Sequence, residues 1–104
     1  MSWDDPSGGR EWARRIREMK RRYAAKRARG ARELREWFGR LRAARNLTEE
    51  ALADAVGVDP VAQRAIEQAA VPLSQAYLAA LRGAVPLSEQ EESELSAVLE
   101  DLWA

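Results

Sequence analysis

Apolar residues recur along most of this chain at spacings of three and four, the rhythm of an α-helix with one buried face. From Arg10 to about Arg29 they are Trp12, Ile16, Met19 and Tyr23, spaced by four, three and four. They form a narrow stripe, and the remaining surface is largely Arg and Lys. The stripe spans about two heptads, short for an independent coiled coil. It is expected to pack on the globular part or to pair with a second copy. Gly30 interrupts, as a C-cap or a kink. A second helix is expected from Ala31 to about Arg45, with Leu34, Trp37, Phe38 and Leu41 on its apolar face. Ahead of all this, residues 1–9 hold Pro6, Ser7, Gly8 and Gly9 without periodicity and read as a frayed tail. Trp3 alone there could dock on something.

The rest is punctuated by capping residues. Thr48 precedes "EEALADAV" and can accept from a free N–H of that helix, while the acids behind it suit the positive end of the dipole. Leu52, Ala53 and Val56 face inward. Gly57 ends the helix, because glycine takes positive φ at least cost. Asp59 caps the next, with Pro60 at its first position, and that helix reaches about Ala70. Pro72 breaks the chain. Ser74 opens a helix to about Arg82, with Tyr77, Leu78 and Leu81 inward. Gly83 and Pro86 mark a loop. Ser88 with Glu91 three residues on makes a capping box for a last helix whose stripe is Leu95, Val98, Leu99, Leu102 and Trp103. No segment alternates as a strand does. The pattern predicts an all-α chain of about six helices.

Charge changes this picture more than composition does. The net charge is zero, but Arg10–Arg35 holds twelve bases against three acids, a net +9, whereas Glu36–Ala104 holds five against twelve. Residues 88–104 carry six acids and no base. Such asymmetry speaks of partners. A +9 density over these 26 residues repels itself unless an anion neutralises it, so the basic segment points first to nucleic acid and second to an acidic protein surface, this chain's own C-terminal helix included. The absence of Cys and His removes the thiolate, the commonest metal ligand and the commonest general base. The acidic pairs sit on caps and exposed faces without a companion nucleophile. No catalytic residue, metal site or cofactor is expected. No apolar run approaches the ~18–20 residues of a membrane span, and the N-terminus carries acids where a signal peptide carries bases. A cytoplasmic protein with no membrane partner is the expectation.

The stretch Phe38–Gln68, "FGRLRAARNLTEEALADAVGVDPVAQRAIEQ", resembles the Cro/phage-repressor (XRE-like) helix-turn-helix family. In that family a first helix "lG..Lr..R" precedes "LTqeeLA...Gvs...is.iE.g". Phe38, Gly39, Leu41, Arg45, Leu47, Thr48, Leu52, Ala53, Gly57, Val58, Ile66 and Glu67 stand at matching places, and the likeness covers roughly residues 34–85. It implies a five-helix repressor-like helix-turn-helix domain over 31–104, preceded by a basic helical extension over 10–30. It also implies a small DNA-binding protein, a transcriptional regulator that works as a homodimer on double-stranded DNA.

Departures fall on the DNA-facing positions. Glu49 replaces the glutamine that holds a phosphate in the family. The start of the second helix reads Asp59, Pro60, Val61 and Ala62, none of which supplies a bidentate donor–acceptor pair for G or A. Gln63 stands where the family has a core Ile or Val, so either the register is locally altered or the helix is packed less tightly. The expected DNA contacts are therefore Arg14, Arg15, Arg17, Lys20, Arg21, Arg22, Lys26 and Arg27 on phosphates, with Thr48, Val61, Gln63 and Arg64 from the helix-turn-helix. The competing expectation is a degenerate helix-turn-helix whose face binds a protein such as a polymerase subunit, a sigma factor or an assembly partner.

Overall fold

The computed structural model describes residues 6–103, and Trp3 lies outside them. Among the described residues there are five α-helices and no strand, so the chain is all-α as its periodicity predicts. They are α1 (Pro6–Ala44), α2 (Glu49–Val56), α3 (Pro60–Glu67), α4 (Gln75–Ala84) and α5 (Glu89–Trp103).

The caps fall where the sequence places them. Thr48 Oγ1 accepts from the Ala51 N–H at 3.0 Å, an Asp59 carboxylate oxygen from Val61 at 2.8 Å, and Ser74 Oγ from Tyr77 at 3.0 Å. Ser88 and Glu91 exchange both bonds of the capping box, at 2.9 and 3.1 Å. Gly57 closes α2 at φ +88°. The ends of α1 and α3 close in the same left-handed way on other residues, Asn46 at φ +54° and Ala69 at φ +58°. Asparagine tolerates that region, but an alanine there costs about 1 kcal/mol. Ala69 also explains why α3 stops at Glu67 rather than near Ala70. The N–H of Ala70 turns back to the Ala65 carbonyl at 2.8 Å, which closes the helix.

Gly30 neither caps nor ends a helix. α1 runs unbroken from Pro6 to Ala44, 39 residues, and takes in the last part of the segment expected as a tail. The reason lies across the interface. A Cβ on Gly30 would stand 2.9 Å from Leu102 Cγ and 3.3 Å from Asp101 Cβ. The glycine is what lets α5 approach α1. Glycine inside a helix costs about 1 kcal/mol relative to alanine, and burial of Leu102 offsets it.

From Gly30 onward, α1 lies antiparallel to α5. The contacts run in opposite order: Gly30 with Leu102, Arg40 with Glu94, and Arg45, just past α1, with Glu91. The Trp37 indole N–H also donates to the Glu91 backbone carbonyl at 3.1 Å. Leu34, Trp37, Phe38 and Leu41 of α1 join Leu95, Val98 and Leu102 of α5, and α2–α4 add Leu52, Ile66, Tyr77, Leu78 and Leu81. Trp37 and Phe38 meet edge to face, with ring centroids 5.0 Å apart.

Before Gly30, α1 is an arm. A 39-residue helix is about 58 Å long, which nearly accounts for the molecule's 62 Å long axis. The arm needs no nucleus of its own, because the packed half of α1 supplies it. Trp12 is 66% exposed, Met19 51% and Tyr23 58%, with Ile16 half-buried. Of the two expectations for this stripe, packing on the globular part is not what the structure has. Among the described residues, no helix is long and apolar enough to cross a membrane.

Candidate nucleic-acid interface

Two surfaces carry the residues expected to meet DNA. The first is the arm. Arg14, Arg15, Arg17, Lys20, Arg21, Arg22 and Arg27 are exposed and Lys26 is half-buried. Among the described residues Arg15 has an ion-pair partner, Glu11 at 2.9 Å. At about 100° per residue, Arg14, Arg17 and Arg21 stand opposite the Trp12–Tyr23 stripe. Arg15, Arg22 and Lys26 border the stripe on one side, and Lys20 and Arg27 on the other. The arm is therefore cationic on three sides and apolar on the fourth.

The second surface is α2, the turn Gly57–Asp59 and α3. Thr48 Oγ1 is engaged as the cap of α2. Val61 is 78% exposed at the start of α3. Arg64 projects from α3, but its Nε donates to Glu49 Oε1 at 3.1 Å. The carboxylate that stands in place of the phosphate-holding glutamine is thus already paired, and the arginine expected to contact DNA is already engaged.

Gln63 must be corrected. It is 0% exposed and reads nothing. Gln63, Ile66 and Glu67 lie at i, i+3 and i+4, the inward face of α3. The register is not altered; a polar side chain occupies the core position, and its amide is satisfied there. The Tyr77 hydroxyl donates to Gln63 Oε1 at 2.7 Å, Gln63 Nε2 donates to Glu67 Oε2 at 2.9 Å, and Arg42 donates to Glu67 Oε1 at 3.2 Å. Burial, opposed by the bond to Gln63 and aided by the Glu67 charge, pushes the Tyr77 hydroxyl up to about 12. The signal for this was Gln63 and Glu67 four apart on one helix face, which is the spacing of a hydrogen-bonded pair.

A further cluster joins the turn after α1 to α5. Arg45 forks onto Glu91 with both bonds at 2.8 Å and also donates to the Pro86 carbonyl at 2.9 Å. Those bonds from Arg45 hold the Glu91 carboxyl down at about 2, with the Ser88 cap assisting against partial burial. Arg82 likewise forks onto Glu92, at 2.7 and 3.0 Å, tying α4 to α5. Among the described residues no group of three or more acids could hold a metal ion. A shallow depression lined by Trp37, Arg40, Arg45, Gln90, Glu91 and Glu94 lies between α1 and α5, but its charges face one another.

No protein-family model matches this chain, and neither a curated protein nor a solved structure matches it.

Proposed function

We propose that this chain is a small DNA-binding protein of the repressor-like helix-turn-helix type, a transcriptional regulator whose affinity for double-stranded DNA resides mainly in the arm. The observation that carries the reading is the arm itself: eight bases, Arg14 to Arg27, on a four-turn helix whose described neighbours neutralise one of them. Phosphates relieve that repulsion and release counterions. They position the protein without specifying sequence. The pair of short helices joined by the Gly57 turn suits a groove, but its exposed readers are reduced to Val61 and Arg64. Val61 can meet a thymine methyl, and Arg64 reads a base only after leaving Glu49.

A salt titration on duplex DNA tests this. Six to eight neutralised phosphates give a log–log slope of about −5 to −7. Replacing Arg14, Arg17 and Arg21 together with Gln should flatten the slope by about 3, from roughly 0.9 per contact. An unchanged slope would remove the arm from the interface.

The second reading is a protein-interaction module built on α2 and α3. It is favoured by the exposed Val61, the buried Gln63 and the Glu49–Arg64 pair, which together leave a face more suited to protein than to DNA. In that case Glu49→Gln, which frees Arg64, leaves DNA affinity unchanged. Under the first reading it tightens binding by roughly five- to thirtyfold, about 1–2 kcal/mol.

A further inference from the structure

The uncovered stripe on the arm is in phase with the covered face of the same helix. At about 100° per residue, Trp12, Ile16, Met19 and Tyr23 fall on the line that continues through Gly30, Leu34, Trp37 and Leu41. Along Gly30–Ala44 the structure shows what covers this line: an antiparallel, acidic, amphipathic helix. α5 lays Leu95, Val98 and Leu102 on it and flanks it with carboxylates. Those carboxylates meet bases of α1 and of the turn that follows it, with Arg29 on Asp101 at 3.5 Å, Arg40 on Glu94 at 3.3 Å and Arg45 on Glu91 at 2.8 Å. α5 ends at Trp103, level with Gly30. The same apolar line, edged by Arg15, Arg22 and Lys26 on one side and Lys20 and Arg27 on the other, runs on without a cover among the described residues.

We infer that the Trp12–Tyr23 face of the arm is a docking site for an acidic amphipathic helix of a partner protein, bound antiparallel to α1 and in line with α5. Charge selects this occupant over a second copy of the chain. Two arms paired on this stripe would bring the Arg15 and Arg22 edges together, and like charges at that range are unfavourable. An acidic helix repeats instead the pairing that α5 already makes. The inference does not depend on the DNA reading. Arg14, Arg17 and Arg21 point away from the stripe, so one arm can hold phosphates on one side and a helix on the other.

The test is fluorescence anisotropy with a labelled peptide of residues 88–104, SEQEESELSAVLEDLWA, titrated with the full chain. The tethered α5 holds its own place at an effective concentration near millimolar, so a micromolar peptide samples the free stripe. Saturable binding should weaken at least tenfold for Trp12→Ser with Tyr23→Ser, and also for a peptide carrying Glu91→Gln, Glu94→Gln and Asp101→Asn. The Arg14, Arg17 and Arg21 to Gln variant should bind the peptide within about twofold of the parent, a difference below ~0.5 kcal/mol. Absence of binding overturns the inference. So does binding that ignores the two stripe substitutions, which would be mere polyanion attraction. Sedimentation that finds the parent dimeric, and the stripe variant monomeric, would assign the face to a second copy instead.

Discussion

The two halves of α1 share a helix, a phase and a high density of arginine, yet they use those features differently. From Gly30 onward most of the arginines that face another helix are committed within the fold. Arg40, and Arg45 just beyond the helix, hold α5, and Arg42 reaches the buried Glu67, while Arg32 and Arg35 stay exposed without an ion-pair partner among the described residues. From Arg10 to Arg27 the bases are, with the exception of Arg15 among the described residues, without ion-pair partners. Helical pattern alone does not separate these halves. What separates them is an opposite helix, and so an arginine counts as structure or as binding surface according to what lies across from it.

The largest contrast should appear on removing an arginine from each half. Arg42→Leu removes the counter-charge of the Glu67 carboxylate, whose side chain is 4% exposed, and leaves it only the Gln63 amide. Breaking a buried pair in this way costs about 3–5 kcal/mol. Arg21→Leu on the arm should stay within about ±0.5 kcal/mol. Urea unfolding at neutral pH measures both, and similar losses would dissolve the distinction.

The glycines of α1 make a second contrast. Gly30→Val drives a side chain into Leu102 and should cost about 1–3 kcal/mol. A Cβ on Gly9 meets nothing within 4 Å. Gly9→Ala should therefore raise helix content, by up to about 1 kcal/mol of local stability. Thermal melts followed by circular dichroism would show opposite signs, and a neutral Gly30→Val would mean that α5 does not approach there.

Acid should act on the covered half. The folded carboxyl of Glu91 titrates near 2, against an ordinary value of 4.5. Its depressed pKa contributes stability that is complete above about pH 4.5 and is lost as the pH falls towards 2. With solvent screening this amounts to about 1–2 kcal/mol. Glu91→Gln keeps a capping-box residue but should flatten stability against pH across that window. An unchanged profile would assign the acid sensitivity to other carboxylates.

The smallest effect belongs to the stripe. Trp12→Ser and Tyr23→Ser should each alter global stability by no more than about 0.5 kcal/mol, because these rings are mostly in water. A loss well above that would show the face to be covered within the chain.

Helix faces and the starts of α2 to α5 were legible in the residues themselves. Thr48, Asp59, Ser74 and Ser88 cap because a short polar side chain ahead of an apolar-periodic run has an N–H within reach. Gly57 turns because positive φ favours glycine. Each of these is a local interaction, complete within a few residues. The core face Leu34, Trp37, Phe38, Leu41 followed from spacing in the same way. The role of Gly30 did not, because a glycine that breaks a helix and one that admits a neighbouring helix look alike until Leu102 is known to lie 2.9 Å from the missing Cβ. Nor did the burial of Gln63, since an amide enters a core only if partners such as Tyr77 and Glu67 await it. Arg64 read as a free donor because Glu49, fifteen residues earlier, comes within 3.1 Å of it only through the packing of α2 on α3. The sequence by itself determined the helices and their polar and apolar faces, through contacts spanning three or four residues. Tertiary structure alone decided which faces and charges were taken, because that depends on residues distant in the chain, and it left the arm's stripe and bases facing outward.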